Sequence, residues 1–163
     1  MESKVLKLAE ETVNLLKQKN LKIATAESCT GGMLSQYITA ISGASEVFEL
    51  GICSYTCDKK HEILGVRNKV LKRFGAVSDR AASEMAENVR KKAGADIGVA
   101  ITGSAGPSPC EGHPMGYVFV SLAEKDKTTV KLLEIEPKSR EYVRLMAVYE
   151  LLCIINDFLK DNV

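Results

Sequence analysis

Residues 21–41 read LKIATAESCTGGMLSQYITAI, and three pieces of different chemistry follow one another in them. Leu21 to Ala26 is a short apolar run of strand length, and Glu27 to Thr30 is a polar turn. Gly31-Gly32 then opens a helix from Met33 to about Ile41, which Ser42-Gly43 closes. A strand that feeds a helix through such a turn is the building unit of an α/β sheet.

The flanks repeat the alternation. Upstream, Ser3 is placed to cap a helix to about Lys19, with Val5, Leu8, Val13, Leu15 and Leu16 on a mostly one-sided apolar face and Asn20 as its stop. Downstream, Val47 to Tyr55 reads as a second strand, weakened by Gly51, and Asp58 begins a short helix ending near Gly65. Ser78-Asp79 is an oxygen cap followed by a first-turn carboxylate. The helix it starts carries Ala82, Met85, Ala86 and Val89 on one face and ends at Gly94. Ile97 to Thr102 is a third strand, apolar enough to be central. Gly103 to Gly116 is a Gly/Pro-rich loop too long for a simple turn, which marks it as a candidate functional loop. Tyr117–Ala123 and Thr128–Ile135 form a hairpin, and Ser139 caps a long last helix to Leu159. The expectation is a single α/β domain with a mixed, mostly parallel sheet and helices on both faces, a three-layer arrangement.

Composition narrows the partners. The 163 residues are 45% hydrophobic and 26% charged, ordinary for one globular domain. With 22 basic and 21 acidic residues the net charge is +1, which gives neither nucleic acid nor an anionic membrane a reason to bind. An anionic small molecule would need a local site. Met1 to Lys7 lacks the apolar core of a signal peptide, and the apolar stretch Leu151–Ile155 is far too short to span a bilayer, so a cytoplasmic location is expected. Five cysteines without framework spacing suit reduced thiols. The apolar face of the last helix can support a homo-oligomer.

Ligands of such sheets gather beyond the carboxyl ends of the parallel strands. There the first strand delivers Glu27, Ser28, Cys29 and Thr30. The second delivers Tyr55 and Thr56, with Lys59 and Lys60 next, and the third delivers Thr102 and the glycine loop. A serine hydroxyl becomes a nucleophile when a base takes its proton. Lysine serves only when neutral, so its pKa of about 10.4 must fall. Lys59 would help as a like charge only if it pointed the same way, and adjacent helical residues diverge by roughly 100°. Amides of the turn at Cys29, Thr30, Gly31 and Gly32 are placed to stabilise an oxyanion. On residues alone, the same turn reads more simply as a helix cap and Lys60 as a solvated surface charge. Cys29 as nucleophile would have only His61 and His113 as histidine partners. Cys53, Cys57, Cys110 and His113 are poorly spaced for a metal, and none is expected. The P-loop pattern is missing, although Gly103 to Pro107 can hold a phosphate through backbone amides.

Ala26-Glu27-Ser28-Cys29-Thr30-Gly31-Gly32 resembles the AESCTGG signature of the CinA C-terminal domain family, the nicotinamide-nucleotide amidases. Tyr55-Thr56-Cys57-Asp58-Lys59-Lys60 resembles the family's Y-[ST]-N-x-x-K segment. Leu64-Gly65-Val66, Gly75-Ala76-Val77-Ser78 and Thr102-Gly103-Ser104-Ala105-Gly106-Pro107 match further blocks in order over nearly the whole chain, in what resembles the stand-alone form of the domain. The resemblance implies that Ser28 attacks the carboxamide of nicotinamide mononucleotide with Lys60 as general base. It also implies roles for Tyr55, Ser45, Thr102 and Gly103 around substrate and dyad, and no metal or cofactor. Arg140, in a segment similar to the family's R-x-x-x-R that ends at Arg144, is the candidate for the substrate phosphate, with a surface ion pair as the alternative. Two departures stand out: Cys57 replaces the family's asparagine, which bears on the lysine loop and its hydrogen bonds, and Ser108 to Pro114 replaces a glycine-rich run, which bears on substrate preference. A nucleotide-binding module without turnover, or an amidase for another carboxamide, are the competing readings.

Overall fold

The computed structural model describes residues 1–161. Strand β1 (Ile23–Glu27) is buried at all its positions and therefore lies inside the sheet. Its neighbours are β2 (Phe48–Cys53) and β3 (Ile97–Gly103), both parallel to it. The hairpin β4 (Tyr117–Ala123) and β5 (Thr128–Glu134) adds two antiparallel strands, giving the order β2-β1-β3-β4-β5.

Side chains alternate across the sheet with period two, and the two faces differ in size. Ile23, Val99, Ile101, Val118 and Val120 pack under α1 (Glu2–Lys19), α2 (Met33–Thr39) and α6 (Arg140–Asp161). Ala24, Ala26, Ala100 and Ala123 face α4 (Asn68–Phe74) and α5 (Asp79–Ala93). The alanine face lets α5 lie close, so close that a Cβ at Gly98 would stand 2.1 Å from the Ala86 carbonyl oxygen. The three layers expected from sequence are present.

Several boundaries moved for local reasons. α1 starts before Ser3 because the Met1 carbonyl already accepts from Lys4 and Val5 N–H. Asn20 ends it in the left-handed region (φ 52°). Ser78 and Ser139 cap as expected, accepting from Ala81 N–H (3.1 Å) and Tyr142 N–H (3.0 Å). α4 was not anticipated: Lys69, Lys72 and Arg73 dilute its apolar signal, and only Val70 is fully covered. The apolar face of α6 that suggested self-association is covered inside the chain, where Val143, Ala147, Leu151 and Ile155 join the core with residues of α1 and β4. No helix among the described residues is long and apolar enough to cross a membrane.

From β1 the chain goes to one side for β2 and returns on the other for β3. In open α/β sheets a crevice between the adjoining loops belongs to such a reversal, and here the reversal falls at the carboxyl end of β1, where Ser28 stands.

Candidate active site

The sheet ladder runs one residue past the strands. Ser28 N–H donates to Ile101 O at 3.0 Å and Ser54 N–H to Glu27 O at 2.9 Å, which sets Ser28 and Ser54 side by side at the crevice. Gly31 (φ 61°) and Gly32 (φ 96°) then turn the chain into α2 through conformations that other residues rarely adopt.

Glu27 builds this turn. Its carboxylate is fully buried and accepts from Thr30 Oγ1 (2.6 Å), Gly32 N (3.1 Å), Leu34 N (3.1 Å), Ser35 N (2.9 Å) and Ser35 Oγ (2.7 Å). A negative side chain on the first N–H groups of α2 satisfies donors that no helical carbonyl can reach. From sequence Glu27 was only a residue at the sheet edge. Its role shows once α2 folds back over β1.

The second half comes from α3 (Cys57–Glu62), which Thr56 caps by accepting from Lys59 N–H. Lys60 is 1% exposed, and its Nζ lies 2.8 Å from Ser28 Oγ, 2.8 Å from Ser54 O and 3.5 Å from Tyr55 O. Among the described residues it has no ion pair. Burial lowers its pKa, and the weaker pull of Cys57, Cys29, Glu111 and Cys110 acts in the opposite sense. A neutral amine has two N–H groups and one lone pair. The two carbonyls suit the N–H groups, which leaves the lone pair for the Ser28 hydroxyl proton. Lys59 points elsewhere, exposed and paired with Glu62, so it does not act on Lys60 as a like charge.

The four turn amides divide in two. Gly31 N–H is committed to Ser28 O (3.1 Å) and Gly32 N–H to Glu27. Thr30 N–H has no acceptor among the described residues and Cys29 N–H has none beyond its own thiol, although both residues are buried. The Cys29 thiol is itself buried, which pushes its pKa up to about 12. A thiol held protonated in this way is a poor nucleophile.

Tyr55 is 60% exposed at the rim, and its hydroxyl accepts from Arg140 at 2.6 Å. Arg140 also donates to Gly106 O, tying the start of α6 to the glycine loop. Glu111, at the tip of that loop, accepts from Ala76 N (3.0 Å) and Val77 N (2.8 Å), and Cys57 Sγ lies 4.0 Å away. The two departures from the family pattern, Cys57 and the loop, thus meet beside Lys60. Thr102 stands at the crevice, but its buried hydroxyl is used on Ala76 O at 2.8 Å. Gly103 lets β3 and β4 approach, since a Cβ there would meet Val118 Cα at 2.6 Å. Ser45 is not brought to this group. It precedes β2, and parallel pairing of Ile23 with Phe48 puts it at the amino edge of the sheet, roughly 16 Å of strand from Ser28. There it lines a shallow depression with Thr39, Ile41 and Phe48. Ser54 and Ser104, which sequence reasoning passed over, bury hydroxyls without a partner among the described residues.

The class defined by these features is a three-layer α/β domain with a serine–lysine pair at its topological switch point. Residues 5–159 match the model of the CinA C-terminal domain, and the chain belongs to that family. A protein of Thermoanaerobacter pseudethanolicus described as competence-damage inducible is 44% identical over 153 residues, covering 93% of this chain and 37% of the relative. A CinA-like protein of Kosmotoga olearia is 46% identical over 129 residues, covering 78% of this chain and 31% of its own. The chain thus spans about a third of the length of these curated relatives. Among solved structures, a competence or damage-inducible protein of Enterobacter asburiae superposes with TM-score 0.92 at 33% identity, covering 95% of this chain and 98% of its own. A CinA superfamily protein of Klebsiella pneumoniae gives 0.93 at 28%, covering 96% and 98%.

Proposed function

We propose that this domain hydrolyses the carboxamide of nicotinamide mononucleotide, releasing ammonia and nicotinate mononucleotide. The observation that carries the reading is the buried Lys60 amine, without an ion-pair partner among the described residues, 2.8 Å from the Ser28 hydroxyl. Ser28 Oγ attacks the carboxamide carbon while its proton passes to Lys60 Nζ. The carbonyl oxygen becomes an oxyanion that the Cys29 and Thr30 N–H groups stabilise, since neither donates to another described residue. On collapse the Lys60 ammonium gives the proton to the departing nitrogen, and ammonia leaves. Water then attacks the acyl-serine, again giving its proton to Lys60, and restores the free hydroxyl with the carboxylic acid.

The substrate assignment rests on membership in the family. The exposed Tyr55 ring offers a face for a flat heterocycle. Arg140, with donors left over beyond Tyr55 and Gly106, suits a phosphate at the rim. The reaction needs no metal or cofactor in this scheme.

The test is release of ammonia and nicotinate mononucleotide from nicotinamide mononucleotide by the full chain, set beside Ser28→Ala and Lys60→Ala. Turnover that collapses in both variants supports the dyad and the substrate together. An inert, well-folded wild type overturns the assignment and favours a binding module. Activity confined to another carboxamide keeps the dyad and replaces the substrate.

A further inference from the structure

Arg144, one turn beyond Arg140 on α6, has no part in the reaction as drawn. It points inward, donating Nε to Cys29 O at 3.1 Å and Nη2 to Thr30 O at 2.7 Å. A Cβ at Gly31 would make only ordinary contact with Arg144 Nη2, at 3.5 Å, so this glycine serves the turn through its φ of 61° and not by making room for the fork.

A trans peptide unit is planar, with its N–H directed opposite to its C=O. The Cys29 carbonyl shares a plane with Thr30 N–H, so the guanidinium that holds the first aims the second away from α6. The preceding unit, Ser28 C=O with Cys29 N–H, is held in the same way by Gly31 N–H on Ser28 O. The two amides that donate to no other described residue are therefore the two whose carbonyl ends are clamped. Thr30 is 0% exposed, where an amide left unpaired is costly and calls for an explanation.

We propose that Arg144 is a positioning residue that fixes the Cys29–Thr30 peptide so that the turn amides face the oxyanion of the acyl-transfer step. This rests on the acyl-transfer reading above. Arg144 acts through the backbone and touches no reacting atom. A lysine cannot span two carbonyls with a rigid fork, so it replaces the arginine only in part.

The experiment compares the full-length wild type with Arg144→Lys and Arg144→Met, checked for folding by thermal unfolding. Two readouts are taken: kcat and KM for ammonia release, and the backbone amide NMR resonances of Cys29 and Thr30 without substrate. Expected for Arg144→Met is a kcat loss of about 10- to 100-fold, of the size caused by weakening one oxyanion donor, with KM within about twofold. Arg144→Lys should fall between it and wild type, and the Cys29 and Thr30 resonances should move. A raised KM at constant kcat overturns the proposal in favour of direct substrate binding. Unmoved resonances in an active enzyme overturn the role of Arg144 alone. A wild type that releases no ammonia from any carboxamide overturns the oxyanion role together with the acyl-transfer reading, and the resonances still report whether the clamp exists.

Discussion

Lys60 Nζ and Ser28 Oγ are 2.8 Å apart although 32 residues separate them in the chain, and both are buried. Burial lowers the lysine pKa, so the deprotonated base gains population at a lower pH than a solvated lysine would allow. Turnover should therefore rise with pH through that depressed pKa and level off before the usual lysine range. A pH profile of kcat/KM that climbs only near pH 10 would show that Lys60 is not the base.

The same shift is a statement about stability. Between the folded and unfolded pKa values of Lys60 the unfolded chain holds the extra proton, so stability rises with pH across that window and is lowest below it. The slope from this one group is at most about 1.4 kcal/mol per pH unit. Chemical denaturation of wild type and Lys60→Met at several alkaline pH values should show the slope in the first and its loss in the second. Parallel curves would contradict it.

Glu111 lends negative charge to the surroundings of Lys60 and so raises the lysine pKa. Its neutral isostere Glu111→Gln should move the rise in turnover to lower pH. It should also weaken the clasp on Ala76 and Val77 N–H, with a rise in KM as the loop loosens. A pH profile that stays in place would place the charge too far away to matter.

Glu27→Gln puts an amide NH2 where two or three donors already converge. A buried donor facing donors costs about 1–3 kcal/mol, and urea unfolding should show a loss of that order. Turnover should fall along with it, since the turn carrying Ser28 hangs on this carboxylate. Full activity and stability in the variant would refute that account of the turn.

Cys29→Ala should keep most of the turnover, because its thiol stays protonated and the backbone N–H is unchanged. In wild type, iodoacetamide near neutral pH should alkylate the exposed Cys53, Cys57 and Cys110 before the buried Cys29. Collapse of activity in Cys29→Ala would revive the cysteine as nucleophile.

The sequence by itself determined the α/β class, and it pointed to the carboxyl edge as the place to look for chemistry and to Ser28 and Lys60 as a pair worth testing. Those follow from hydrophobic period, from turn residues whose reasons are local, and from a signature that survives as a string. α4 escaped because three cations surround the single side chain, Val70, that it buries fully. Only the tertiary structure decided which groups meet. Parallel pairing of β1 with β2 sent Ser45 to the far edge, and Thr102 Oγ1 turned out to be used on Ala76 O. Burial lowered the pKa of the Lys60 amine, and Glu27 and Arg144, far apart in the chain, became the two anchors of the Ser28 turn. Desolvation and hydrogen-bond direction arise from atoms distant in sequence, and a one-dimensional pattern holds no record of them.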